Sequence, residues 1–157
     1  MMQAWRIGTD TPKYLADDLT GAGAKETGGR WNTKGSALLY ASSSRALACL
    51  ETLVHLGAGS LPLNRYLVRI DIPDDVWQKG TVLDLPTAPV GWDALPEGMV
   101  TLNFGDAWLA SNASAILLVP SIVVPEEQNV LINPLHPDAA TFKATKIRKW
   151  IYDARLK

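Results

Sequence analysis

The chain is short of the residues that most often announce a function. It has one cysteine and two histidines in 157 residues. A lone Cys49 excludes an intramolecular disulfide, and its place inside a helical pattern reads as a small buried hydrophobe. His55 and His136 lie far apart and form no metal-ligand spacing. No apolar run approaches the ~20 residues that cross a bilayer. With one cysteine and no signal peptide, the expected localisation is cytoplasmic. Excess charge is also missing: 15 basic against 16 acidic residues argues against a strongly electrostatic nucleic-acid binder. No GxGxxG follows a strand and no GxxxxGK[ST] occurs, which removes the two commonest phosphate-binding turns.

What is present is a 47% apolar composition and a length suited to one domain, taken as residues 1–157. Six tryptophans is a high count and suggests ring packing in the core or at a pocket. Ala4–Gly8 reads as a first strand, with Trp5 and Ile7 facing one way and Arg6 the other. A short helix is expected within Tyr14–Leu19, and a mobile loop over Ala22–Gly29. Asn64–Ile72 alternates most cleanly of all. Further strands are expected at Thr81–Leu85, Ala115–Val119 (running on extended through Ile122–Val124), Asn129–Asn133 and Ile147–Asp153. Phe104–Ser111 reads as a short helix, and the proline-rich stretch 86–98 as a loop. Strands without regular βαβ alternation and without repeats give an α+β class with mainly antiparallel pairing.

The most informative stretch is Gly28–Leu56, GGRWNTKGSALLYASSSRALACLETLVHL. A glycine-led polar loop leads into a short strand, Ala37–Ala41. Ser42–Ser44 then offers N-caps for a helix whose apolar stripe is Ala46, Leu47, Leu50, Leu53 and Val54, with Gly57 as a stop. Glu51 falls at the border of that stripe. Periodicity alone leaves two readings for it: a solvated glutamate, or a carboxylate at the rim of a cleft. Arg6 has the alternative of a sheet-edge ion pair, Arg30 that of a guanidinium stacked on Trp31, and Tyr40 that of a core residue. Ser121, between Pro120 and a β run, reads as a strand-end residue, and Asn129 and Asn133 as turn and cap residues.

The combination GGRWN…G…LYAS…ALACLE, with WRIG before it and GDAWL, LVPSIVVPEEQNVLINPLHPDA and WIYDARL after it, resembles the RES domain of bacterial Xre–RES toxin–antitoxin modules. The resemblance covers nearly the whole chain. It implies an ADP-ribosyltransferase-like fold, with two small, mostly antiparallel sheets and flanking helices around an NAD-binding cleft. It implies a toxin that degrades NAD+ as substrate, by glycohydrolase or phosphorylase chemistry at the nicotinamide–ribose bond or by ADP-ribosyl transfer to a protein. A non-catalytic antitoxin-binding module is the competing reading. By position, Glu51, Arg6, Tyr40 and Ser121 match the family's catalytic set, and Arg30, Arg6, Tyr40 and Ser121 its NAD-binding set. No metal or prosthetic group is implied. The implied partner is an Xre-family antitoxin, through which DNA would be contacted, with a homodimer as one arrangement inside that complex.

Those residue types suit the chemistry. Nicotinamide is already cationic on the ribose and leaves neutral, so no general acid is needed and one ionised carboxylate can face the oxocarbenium-like charge. Guanidinium groups match pyrophosphate oxygens bidentately. Ser121 has no histidine-based activation pattern and is expected to orient Glu51 or bond a ribose, not to act as a nucleophile.

Overall fold

A computed structural model describes residues 1–57 and 61–156. The elements run β1 (Met2–Thr9), α1 (Ala22–Thr27), β2 (Leu39–Ser42), α2 (Arg45–Leu53), β3 (Arg65–Ile72), α3 (Asp74–Gln78), β4 (Thr81–Val82), α4 (Met99–Ser111), β5 (Ile116–Pro120), β6 (Gln128–Ile132) and β7 (Lys143–Lys149). The strands form one sheet in the order β4-β5-β6-β2-β1-β3-β7. Only β4–β5 is parallel. The α+β class and the antiparallel bias are those read from the sequence.

Two small sheets were expected; the structure has one seven-stranded sheet instead, because β1 still pairs with β2 at one point and joins the halves. β1 pairs with β3 along its whole length, from Met2–Ile72 to Thr9–Arg65. With β2 it pairs only at Trp5–Ser42. The sheet is therefore continuous but splits open beyond that pair. The core repeats the division. One face carries an uninterrupted apolar layer that includes Ala4, Leu39, Val68, Ile70, Ile116 and Val130. The other face carries two separate clusters. Trp5, Ile7, Ala48, Cys49, Leu53 and Leu67 pack beneath α2. Trp31, Trp108, Leu117, Val119 and Leu131 pack beneath α4. A seam between two independently packed helices is where a cleft can open without exposing core.

Several local expectations shift. Ala22–Gly29 is not a loop: Ala22–Thr27 is helical, entered from Gly21 in the left-handed region. Small side chains and a terminal lysine near the helix carboxyl end allow this despite low hydrophobicity. Tyr14–Leu19 forms turns, because Asp10 takes the Ala16 N–H and Thr11 the Tyr14 N–H, diverting the backbone from helical bonding. Ile122–Val124 bends instead of continuing as a strand, since Ser121 Oγ accepts from the N–H groups of Val123 and Val124. The last strand is Lys143–Lys149, earlier than Ile147–Asp153, its register fixed by pairing with β3. The helix read as Phe104–Ser111 begins at Met99. α2 is capped by Ser44, whose side chain accepts from Leu47 N, and it ends at Leu53, before Gly57.

Candidate functional site

The glycine-led loop is held from three sides. Gly28 turns it at φ 71°, a conformation that L side chains seldom adopt. Asn32 is fully buried and donates to Ala24 O and Ser36 O, both at 2.9 Å. Its Oδ1 accepts from the Tyr40 hydroxyl at 2.7 Å, and that hydroxyl accepts from Trp31 N at 3.0 Å. From above, α4 presents Gly105 to the Trp31 carbonyl and Asp106 to the Thr33 N–H and hydroxyl. Tyr40 thus fixes the loop that carries Arg30. Burial pushes its phenol well above the usual range, so the hydroxyl stays protonated and able to donate.

Arg6 stands at the seam. Where β1 and β2 diverge, its Nη1 donates to the Tyr40 carbonyl at 3.0 Å, replacing a ladder bond. Its Nε is buried with no partner. Burial lowers its pKa, while the charges of Asp18 and Tyr14 act in the opposite direction. Arg30 Nη1 donates to the carbonyls of Trp92 (3.1 Å) and Ala94 (2.9 Å), fastening the 86–98 loop to the cleft. Burial lowers its pKa too, opposed by the nearby Glu97, Glu51 and Asp93 carboxylates. The stacking on Trp31 is not observed: Trp31 sits edge-on to Phe104, at a centroid separation of 6.0 Å.

Glu51 resolves in favour of the cleft rim. It is half-buried, and its Oε1 accepts from Ser121 Oγ at 2.6 Å and from Asn129 Nδ2 at 2.9 Å. Ser121 is fully buried, and the two backbone N–H groups that occupy its oxygen aim its proton at Glu51. Asn129 is oriented in turn by Ser42, whose hydroxyl donates to Asn129 Oδ1 at 2.8 Å. Among the described residues, the second carboxylate oxygen has no hydrogen-bond partner.

A cavity of about 470 Å³ runs along the seam, and Arg6, Arg30, Tyr40, Glu51 and Asn129 all line it. That volume lies in the range of small-molecule sites. Four of the five residues singled out from the sequence therefore share one cleft, and Ser121 stands behind the carboxylate as its hydrogen-bond donor. Asn129 and Ser42 are the residues missed. Asn129 has more than the turn role expected of it. Its alternation with Leu131 on β6 placed it on the α2 face, but nothing in the sequence linked it to Glu51. Asn133 does take the turn role, accepting from Leu135 N.

The sequence profile of the RES domain matches residues 3–154. The chain belongs to the RES domain family. The RES domain is ADP-ribosyltransferase-like, in keeping with a split sheet around a cleft. The chain is 61% identical over 152 residues to the Prs ADP-ribosylating toxin of Sphingobium sp., covering 97% of this chain and 94% of that one. It is 41% identical over 146 residues to Toxin Res of Yersinia enterocolitica, covering 92% and 94%. It is 36% identical over 157 residues to Toxin Res of Pseudomonas putida, covering 99% of each. Among the described residues of this RES protein, no helix is long and apolar enough to cross a membrane.

Proposed function

We propose that this RES toxin breaks the nicotinamide–ribose bond of NAD+ and passes the ADP-ribosyl group to an acceptor. The observation that carries the proposal is Glu51: a carboxylate with one oxygen saturated and the other open, in the same cleft as two guanidinium groups. The C1′–N bond breaks, its electron pair stays on the ring nitrogen, and neutral nicotinamide leaves. The open oxygen of Glu51 faces the positive charge left on the ribose or holds a ribose hydroxyl. Arg6, half-buried and with its Nε unpartnered among the described residues, can gain from a pyrophosphate oxygen, since a buried donor left unpaired is costly. Arg30 supplies a second guanidinium and Tyr40 a ring face. The acceptor's heteroatom bonds to C1′ and releases its proton, which balances the reaction.

A protein side chain is the favoured acceptor, because a relative 61% identical over almost the whole chain is named an ADP-ribosylating toxin. Water or phosphate in the same position would make the enzyme a glycohydrolase or a phosphorylase. In the cell, the proposed toxin works in the cytoplasm and is silenced by an Xre-family antitoxin, with a homodimer as one arrangement of that complex. Incubation of the antitoxin-free protein with labelled NAD+, in buffer, in phosphate and in cell extract, separates the acceptors. Nicotinamide release with label on protein is expected in extract. Intact NAD+ with no protein modified contradicts the proposal.

The polar chain behind Glu51 gives a second test. Asn129→Ala and Ser121→Ala each remove one charge-assisted hydrogen bond, worth about 1.5–3 kcal/mol. Each should lower kcat by roughly 10- to 100-fold with KM changed far less. Steady-state kinetics showing an effect on KM alone would make both residues structural.

A further inference from the structure

Net charge near zero hides a segregation. Residues 80–142 contain seven carboxylates and no lysine or arginine; all 15 basic residues lie outside that span. The span builds β4, α4, β5 and β6, which is the acidic half of the sheet; β1, β3 and β7 belong to the basic half. The seam with the cleft is the border between them.

At that border the 86–98 loop and the start of α4 expose four large apolar side chains. Val90 is 96% exposed, Leu95 76%, Met99 65% and Val100 37%. Gly91 packs against Val100, where an added methyl would stand 3.8 Å from its Cγ2, so loop and helix form one local surface. Asp93 and Glu97 lie within it, near enough to Arg30 for their charges to act on it. Arg30 itself lines the cleft and holds the loop by the carbonyls of Trp92 and Ala94. The patch is therefore tied to the rim of the cavity that contains Glu51. Large side chains so exposed cost solubility and commonly mark a contact surface.

We propose that this patch docks the protein acceptor, and that it selects a basic surface with an apolar knob. This rests on the transfer reading above. Charge complementarity is the reason to choose this occupant: the exposed loop carries Asp93 and Glu97, and residues 80–142 contribute no lysine or arginine of their own, which favours a lysine- or arginine-rich surface and disfavours an acidic one. The apolar residues supply contact area that charge alone does not. NAD+, an anionic ligand, instead meets Arg6 and Arg30 in the cleft, so the two substrates are recognised by opposite charges.

Two double variants test it, with biotin-labelled NAD+ and cell extract as the probes. Val90→Ser with Leu95→Ser removes apolar contact at highly exposed positions that do not line the cavity. It should cut labelling of extract proteins at least tenfold while NAD+ cleavage in buffer stays within twofold. Asp93→Asn with Glu97→Gln should flatten the loss of labelling as salt rises. Labelling unchanged in both variants overturns the docking proposal. So does NAD+ cleavage falling in parallel with labelling in the apolar variant, which would make the loop part of the NAD+ site. A change in oligomeric state by light scattering would assign the patch to a second copy, and loss of antitoxin inhibition with labelling intact would assign it to the antitoxin; both refute it. If the wild-type protein cleaves NAD+ but labels nothing, the transfer reading itself has failed, a result distinguishable from the others.

Discussion

Glu51→Gln should lower nicotinamide release from NAD+ by about 10³-fold, with the thermal midpoint nearly unchanged. The substitution is nearly isosteric. A glutamine oxygen can still accept from Ser121 and Asn129, so the polar chain across α2, β5 and β6 need not break. What disappears is the negative charge facing the ribose as the C1′–N bond opens. Removing one preorganised electrostatic group costs about 10²–10³-fold in comparable sites. Here no second carboxylate lines the Glu51 end: the other acid on the cavity wall, Asp18, has its charge felt by Arg6. The upper end of the range is therefore expected. Turnover within tenfold of wild type would remove Glu51 from the mechanism.

Gly105→Ala should be the most damaging glycine-to-alanine change among the described residues. An added Cβ would stand 1.7 Å from the Trp31 carbonyl oxygen, so either α4 or the Gly28–Ser36 loop must move. Backbone atoms on both sides leave no flexible side chain to yield. Overpacking of this kind costs about 3 kcal/mol or more, which for a domain of this size lowers the midpoint by about 6–12 °C. The loop carries Arg30 and rests on Tyr40, so NAD+ binding should weaken together with stability. Gly57→Ala is the control: its methyl meets nothing within 4 Å among the described residues and should shift stability by no more than about 0.5 kcal/mol. Equal midpoints for the two variants would show that α4 does not brace the loop.

The parts of this structure that are set locally were legible in the sequence. The Ser42–Ser44 run announced the start of α2, with Ser44 as the cap the structure uses, and the alternation of β3 announced a strand that is buried on its Val68, Ile70 and Ile72 face. Arg6 opposite Trp5 and Ile7 followed from the period of a strand alone. The parts set by long-range pairing were not. Nothing local to β1 says that it meets β2 at a single residue pair, yet that one pair makes the cleft. Nothing local to Asn129 says that Glu51 of α2 lies against it, 78 residues away in sequence. Glu51 itself was undecided at the edge of an apolar stripe, because periodicity gives the direction of a side chain but not what covers it. The Ala22–Thr27 helix was missed for the opposite reason: it buries no residue fully, so it has no apolar stripe to read.

The most direct measurement is a crystal structure of the Glu51→Gln protein soaked with NAD+. The nicotinamide ribose should lie beside residue 51, with C1′ facing the carboxamide, and pyrophosphate oxygens on Arg6 and Arg30. A dinucleotide bound away from the seam, or with its ribose remote from residue 51 while the arginines face solvent, would contradict the proposed mechanism.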